Sequence, residues 1–477
     1  MEIVEISTSD LARAIAGHDL APSEVMAATL ARIDTVNPGV NAIVSRVDPD
    51  QLMAQARAAD DAPYAGWLHG MPFAVKDLVA VRGLRTTWGS PIYADHVPAH
   101  DDLLAARMRS AGAIFIGKTN VPEWGQGSHS FNPVFGATLN PYDTARTAGG
   151  SSGGAAAALA ARMVPVADGS DMMGSLRNPA AFCNIYGFRP TWGLVPADAD
   201  GDTFMATLAT EGPMGRSVED VANLLAVQAG ENPSVPFGRA GADFASLLAL
   251  NPKGKRIGWL GDWGGAYAFE PGILPLCEQA LTLFEGMGCH IEPLPAPFAA
   301  TDLWQAWVTL RAMLNACAKR ALYDNAAQRA LTKPETIWEI EQGLHLTAAA
   351  VHAASVIRSR WYAQAARLFD SYDYLIMPSA QVWPFPVEWR WPQSINGVAM
   401  DTYHRWMEVV VPVSLIGLPA LNIPVGFGAN GLPMGMQIIG RTGADADVLA
   451  LGQCWHLATD WPGRAPPAGL AGKPRLG

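Results

Sequence analysis

Four side chains in this sequence could share one piece of chemistry: Lys76, the adjacent pair Ser151–Ser152, and Ser175. Lys76 ends Met71-Pro72-Phe73-Ala74-Val75-Lys76-Asp77, an apolar strand that closes on a cation and then an anion. A lysine that leaves a strand into water is an ordinary surface group. One set deep at the strand end loses hydration, and its pKa falls toward usable base strength; the sequence alone does not separate these two. The paired serines sit inside Gly149-Gly150-Ser151-Ser152-Gly153-Gly154, and Ser175 follows Asp171-Met172-Met173-Gly174. A serine attacks a carbonyl when a base takes its proton, and histidine is the common base. The ten histidines lack a compelling context for that role, and no G-x-S-x-G elbow with a following strand–helix pattern presents itself. A serine–lysine arrangement is the better candidate, with glycines around Ser175 leaving backbone N–H groups to hold an oxyanion. The competing reading is a turn whose serines cap the alanine-rich helix that follows. A phosphate cradle is disfavoured, because the GK[ST] ending of a P-loop is missing and no G-x-G-x-x-G follows a strand.

Such groups need a frame, and the composition can build one. The chain has 477 residues, 49% hydrophobic and 16% charged, enough for a large core and far from the disordered regime. Its formal net charge of -11 argues against nucleic acid, whose phosphates need clustered Lys and Arg. Cys183, Cys277, Cys289, Cys317 and Cys454 are an odd number without a C-x-x-C pair. They read as reduced thiols in a cytoplasmic protein and disfavour a zinc site. The opening MEIVEISTSDLARA has early acids and no apolar core, so no secretory signal is expected. No run of 18 apolar residues indicates a membrane span.

Periodicity places the elements. A helical hairpin is expected over 9–37, a helix over 102–113, a strand over 114–116 and a loop over 117–120. Glycine-punctuated loops through 124–128 and 135–136 lead to the serine-rich stretch. A helix over 218–229 follows, then strands over 256–260 and 289–292 around a helix at 274–286. A long helical stretch covers 301–371, and a strand 373–377. An aromatic, proline-rich loop follows at 383–392. Strands over 420–425 and 434–439, joined by the turn 428–431, precede a final helix at 446–457. Strand, turn and helix in alternation favour a mixed α/β layered sheet.

Several motifs then carry a resemblance. GGSSGG, the DxxGSxRxPAxFC segment over 171–183 and GFRPT over 187–191 resemble the amidase signature family of serine hydrolases. GMPFAVKD, GKTNVPEW, EGPMGRSVEDVA, GLPALNIPVGF and LPMGMQIIG extend the resemblance over nearly the whole chain. It implies an α/β fold with a large mixed β-sheet covered by helices on both faces. It also implies one domain over 1–477: a helical part at 1–66, a catalytic core at 67–230, a variable pocket part at 231–400 and the rest of the core at 401–477. It places a catalytic base on Lys76, a cis-peptide serine on Ser151 and the nucleophile on Ser175. The oxyanion hole would be backbone N–H of Met172, Met173, Gly174 and Ser175. Ser152 would support the network, and Asp171 and Arg177 would brace the loop. One departure stands out: the family usually has Thr-Gly-Gly before the nucleophile, and this chain has Met172-Met173-Gly174. Methionine there narrows the space beside the oxyanion hole and adds adaptable apolar surface.

The reaction implied is hydrolysis of a carbon–nitrogen bond other than a peptide bond, through an acyl-enzyme, with esters or carbamates as further substrates. No cofactor and no metal are expected. The expected partners are a small-molecule amide and water, without nucleic acid or membrane, and with a homodimer as the assembly. Any one of the sixteen tryptophans reads first as core, but as a group those between Trp304 and Trp406, with the loop holding Trp383, Trp389 and Trp391, suggest an apolar or aryl-lined pocket for an uncharged amide. Gln126 and Ser128, in the loop the resemblance places at the pocket, are contact candidates. Cys317 reads as a buried inert thiol, with a place in the pocket wall as the alternative. Within the family, MMGSLRNP looks most like the 6-aminohexanoate cyclic-dimer hydrolase and general amidase branch. Two rivals remain: a glutaminase subunit of a tRNA-dependent amidotransferase, and a non-catalytic amide-binding protein on the same fold. The acidic charge, the aromatic-rich variable region and Met172–Met173 weigh against the first, and the intact Lys76, Ser151 and Ser175 against the second.

Overall fold

The computed structural model describes residues 2–198 and 201–468, so the end of the expected 401–477 part lies outside the described residues. Strand Pro72–Lys76 pairs in parallel with Ile114–Thr119, which also pairs with Ile43–Val44. The second of these strands runs through Gly117-Lys118-Thr119, where a loop is expected from sequence. Its lysine is fully buried and donates to the carbonyl of Val79, so a charged residue continues the ladder.

A mixed eight-stranded sheet forms the larger layer among the described residues. Its order is His290–Pro293, Arg256–Trp259, Tyr374–Pro378, Pro433–Ile439, Ala420–Phe427, Tyr186–Arg189, Thr210–Gly215 and Ala167–Asp171. The first three strands are parallel and the remaining pairings antiparallel. Strands buried along their whole length, such as Tyr374–Pro378 and Pro433–Ile439, show the continuous apolar run of a covered sheet. The helices Asn178–Phe182, Ile273–Gly286 and Asp445–Thr459 pack against the sheet. The α/β architecture with a large mixed sheet is therefore as the sequence leads one to expect.

The edge strand Ala167–Asp171 lies against Pro72–Lys76, where the two sheets meet. Asp168 fixes that junction: its carboxylate accepts the Lys76 backbone N–H at 3.0 and 3.2 Å. The helix Gly153–Ala160, buried at all of its positions, packs beside the junction. A Cβ on Gly154 would stand 2.2 Å from the backbone nitrogen of Asn120, so this close approach requires glycine.

The helical hairpin appears as Thr8–Ala16 and Pro22–Val36. The long helical stretch does not run unbroken. It divides into Ala300–Ala318, Arg320–Asp324, Ala326–Leu331, Pro334–Leu344 and Ala348–Leu368. Asn325 and Thr347 cap new helices with their side chains, and Pro334 opens another at its first position, a set of start signals that the apolar periodicity hides.

Candidate active site

Lys76 ends its strand with no solvent exposure, and its ammonium nitrogen is surrounded by hydroxyls. Nζ lies 2.9 Å from Ser151 Oγ, 2.8 Å from Ser152 Oγ and 2.8 Å from Ser170 Oγ. Burial pushes the Lys76 ammonium below its ordinary value of 10.5, against the opposing pull of Glu211, Asp168 and Asp171. A neutral amine in this nest keeps a lone pair that accepts a proton from a serine hydroxyl. Ser152 stands at the N-cap of Gly153–Ala160 without making a side-chain cap, so its hydroxyl serves Lys76 instead. The capping reading of GGSSGG is thereby corrected.

The peptide bond between Gly150 and Ser151 is cis. Ser128 holds it from below: Ser128 Oγ donates to the Gly150 carbonyl at 2.6 Å and accepts the Gly150 N–H at 3.1 Å. Ser130 Oγ accepts the N–H of Gly153 at 3.1 Å. Ser128 is thus a clamp on the Ser151 loop and does not line the cavity that Ser151 and Ser175 both line.

That cavity measures about 170 Å³. Ser151, Ser170 and Ser175 line it, with Leu78, Trp124, Met172, Met173 and Met407 as apolar wall. Gln126, Arg311, Asn315 and Lys319 also line it. None of the histidines lines it. Gln126 is where sequence places it, in the wall, although its amide is already engaged with Asn315 Oδ1 and Glu339 Oε2, each at 2.9 Å. Cys317 is exposed on the helix Ala300–Ala318 and outside the cavity. Its neighbours two residues to each side, Asn315 and Lys319, are four apart and share the inner helix face, which turns Cys317 outward. The tryptophan expectation is also corrected. Trp307, Trp361 and Trp406 are core residues, while Trp338 and Trp391 border a separate groove of about 360 Å³ that contains none of Lys76, Ser151 and Ser175.

The loop before Ser175 is held by a fully buried carboxylate. Asp171 accepts from Arg177 Nε and Nη2, each at 3.0 Å, from Arg189 Nη1 at 3.1 Å, and from the N–H groups of Gly174 at 2.8 Å and Leu176 at 3.2 Å. Burial alone would raise Asp171, but the two guanidiniums hold it well below the usual carboxylate range. Gly174 has φ +81°, and a Cβ there would stand 2.5 Å from Asn178 Oδ1. Its N–H points at Asp171, so it is unavailable to an oxyanion and leaves the expected set. The N–H groups of Met172, Met173 and Ser175 make no hydrogen bond among the described residues. Neither methionine has a positive φ, so the two residues that stand where the family has small ones sit in ordinary backbone. Met172 Sδ instead accepts from Arg311 Nη1 at 3.3 Å.

Asp171→Asn should destabilise the fold by about 3–5 kcal/mol, because two buried arginines lose their counter-charge. A lowered thermal midpoint, with activity lost alongside it, is the expected readout.

Sequence reasoning missed Ser170, which gives Lys76 its third hydroxyl, and it missed Arg311, Asn315 and Lys319. The signal for the latter three was present: polar residues at intervals of four inside an otherwise apolar helical run. Glu211 was missed as well. It faces Ser170 across the strand ladder and keeps one buried carboxylate oxygen without a partner among the described residues.

The arrangement can do acyl chemistry: a hydroxyl at the cavity, a second hydroxyl bonded to a buried amine, and unpaired N–H groups beside them. The Amidase family model matches residues 24–449. An acylamidase of Rhodococcus erythropolis is 32% identical over 471 residues, covering 97% of each chain. A bacterial aryl acylamidase of the amidase signature family superposes with a TM-score of 0.91 at 29% identity, over 98% of this chain and 99% of that one. A 6-aminohexanoate cyclic dimer hydrolase in complex with substrate superposes with a TM-score of 0.87 at 25% identity, over 97% and 99%. A buried lysine among three serine hydroxyls, on a large mixed sheet that superposes on these enzymes, has one consistent reading: the chain belongs to the amidase family.

Proposed function

We propose that this protein hydrolyses a small amide, with an apolar or aryl body, through Lys76, Ser151 and Ser175. The observation that carries the reading is Lys76 Nζ, buried and 2.9 Å from the hydroxyl of Ser151, a serine that lines the same cavity as Ser175. Ser175 Oγ attacks the amide carbon and passes its proton to Ser151 Oγ as the Ser151 proton moves to neutral Lys76. The oxyanion is received by N–H groups of the loop 172–175, with Met172, Met173 and Ser175 as the donors left open. Lys76 and Ser151 return the proton to the leaving amine. The acyl group remains on Ser175 until water, activated by the same relay, releases the acid. Esters and carbamates offer the same electrophilic carbon and follow the same path.

The five cysteines are all free, which supports a reducing compartment and a cytoplasmic location. No helix among the described residues is long and apolar enough to cross a membrane.

The test is an amide panel: a short aliphatic amide, an aryl anilide, a cyclic oligoamide and a carbamate. Release of acid and amine from at least one member by the protein alone is expected. Ammonia released from glutamine only when partner subunits are added would replace this reading with the glutaminase one.

A further inference from the structure

The wall of the cavity contributed by the helix Ala300–Ala318 holds more positive charge than the protein neutralises. Arg311 is spent within the fold. It forms an ion pair with Glu339 through Nε and Nη2, donates to Tyr403 Oη at 2.8 Å, and reaches Met172 Sδ. Glu339 is equally occupied, since it also accepts from Tyr403 Oη and Gln126 Nε2, each at 2.9 Å. Asn315 Oδ1 takes one hydrogen bond from Gln126, and its Nδ2 donates to the Arg311 carbonyl at 3.1 Å. Lys319 differs. Its Nζ donates to Asn315 Oδ1 at 2.7 Å, and that is its one hydrogen bond among the described residues. Among the described residues no carboxylate lies within 4.0 Å of it. Two N–H groups of a cation that lines the catalytic cavity are left without a protein acceptor.

A half-buried ammonium is costly to leave unpaired, and a ligand that brings the missing charge recovers that cost. Burial pushes Lys319 down to about 8, which still leaves it mostly protonated at pH 7. Leu78, Trp124, Met172, Met173 and Met407 give the cavity an apolar side, and its volume of about 170 Å³ is smaller than the roughly 300–1,000 Å³ of pockets that enclose drug-sized ligands. The acid part of the substrate is therefore short.

We propose that the preferred amide carries a carboxylate on a short acyl chain, and that this carboxylate pairs with Lys319 while Ser175 attacks the amide carbon. The inference rests on the amide-hydrolase reading above. It replaces the expectation of an uncharged substrate with an anionic one whose body is apolar.

Two 4-nitroanilides, of monosuccinic acid and of its methyl ester, differ in that one charge. The wild-type protein is expected to favour the acid by at least tenfold in kcat/KM. Lys319→Met should cut the acid-to-ester ratio at least tenfold, mainly through KM, and Lys319→Arg should retain most of it. Succinate binding, read as a rise in thermal midpoint, tests the cation without any turnover: the wild type and Lys319→Arg should be stabilised, and Lys319→Met should not. An acid-to-ester ratio near one in the wild type, a ratio that Lys319→Met leaves unchanged, or equal stabilisation of wild type and Lys319→Met by succinate would each overturn the carboxylate inference. Succinate binding that depends on Lys319, with neither anilide cleaved, would instead uphold the anion site and count against the hydrolase reading.

Discussion

Replacing Ser175 by alanine is expected to lower kcat/KM for every cleaved amide by about 10⁴-fold or more, down to the background rate. The size of the loss follows from the division of labour in the site. Among the hydroxyls that line the cavity, Ser151 and Ser170 are already bound to Lys76, while Ser175 sits on the loop where the N–H groups of Met172, Met173 and Ser175 are open. Without Oγ of Ser175 there is no covalent intermediate, and the proton relay behind it has nothing to deprotonate. The substitution removes one atom from a loop held by Asp171, Arg177 and Arg189, so the thermal midpoint should stay close to that of the wild type. Steady-state kinetics on the cleaved members of the amide panel, with thermal unfolding as the control, gives both numbers.

The second large effect is that of Lys76→Met, expected to cost about 10²–10⁴-fold in kcat/KM, the usual contribution of a general base. Methionine keeps an unbranched chain of similar length in a site without solvent. Its thioether cannot take a proton from Ser151. In the proposed mechanism lysine and serine act as one unit, so adding Ser175→Ala to Lys76→Met should cost no more than Ser175→Ala alone. The pH profile carries the finer signature. The base must be unprotonated, so wild-type kcat/KM rises with pH along an acidic limb. Burial lowers Lys76, so that limb lies below the 10.5 of an exposed lysine, and Lys76→Met should lack it. Glu211 pulls the other way in its ionised form, which favours the ammonium, although burial pushes its own carboxyl up to about 8. Glu211→Gln should therefore move the limb to lower pH, and a limb that moves up or stays in place contradicts that role.

Much of this site is legible along the chain, because its parts lie in short motifs whose residue types are unusual. A lysine ending an apolar strand, glycines around two serines and a third serine behind Gly174 can be read without a fold. The strand Pro72–Lys76 and the hairpin Ala420–Phe427 with Pro433–Ile439 are likewise marked by local periodicity. What escapes is set by distance and direction. The N–H of Gly174 is lost to the oxyanion because Asp171 turns back on it, a matter of one loop's conformation. Cys317 and Lys319 are two residues apart, yet a helix sends them to different sides, and the phase of that helix is visible only once its packing is known. Glu339 reaches Arg311 from a different helix, so the neutralisation that singles out Lys319 is a tertiary fact. The tryptophans mislead for a related reason: a large apolar ring satisfies a core as readily as a pocket, and eight of the sixteen are buried in the core.

Covalent capture is the most direct test of Ser175 as the nucleophile. A fluorophosphonate, which phosphonylates an activated serine and releases fluoride, should add one mass increment to the intact protein. Peptide mapping should place it on Ser175, with no increment in Ser175→Ala and a much slower one in Lys76→Met. An increment on another serine, or amide hydrolysis that survives in Ser175→Ala, would contradict the assignment.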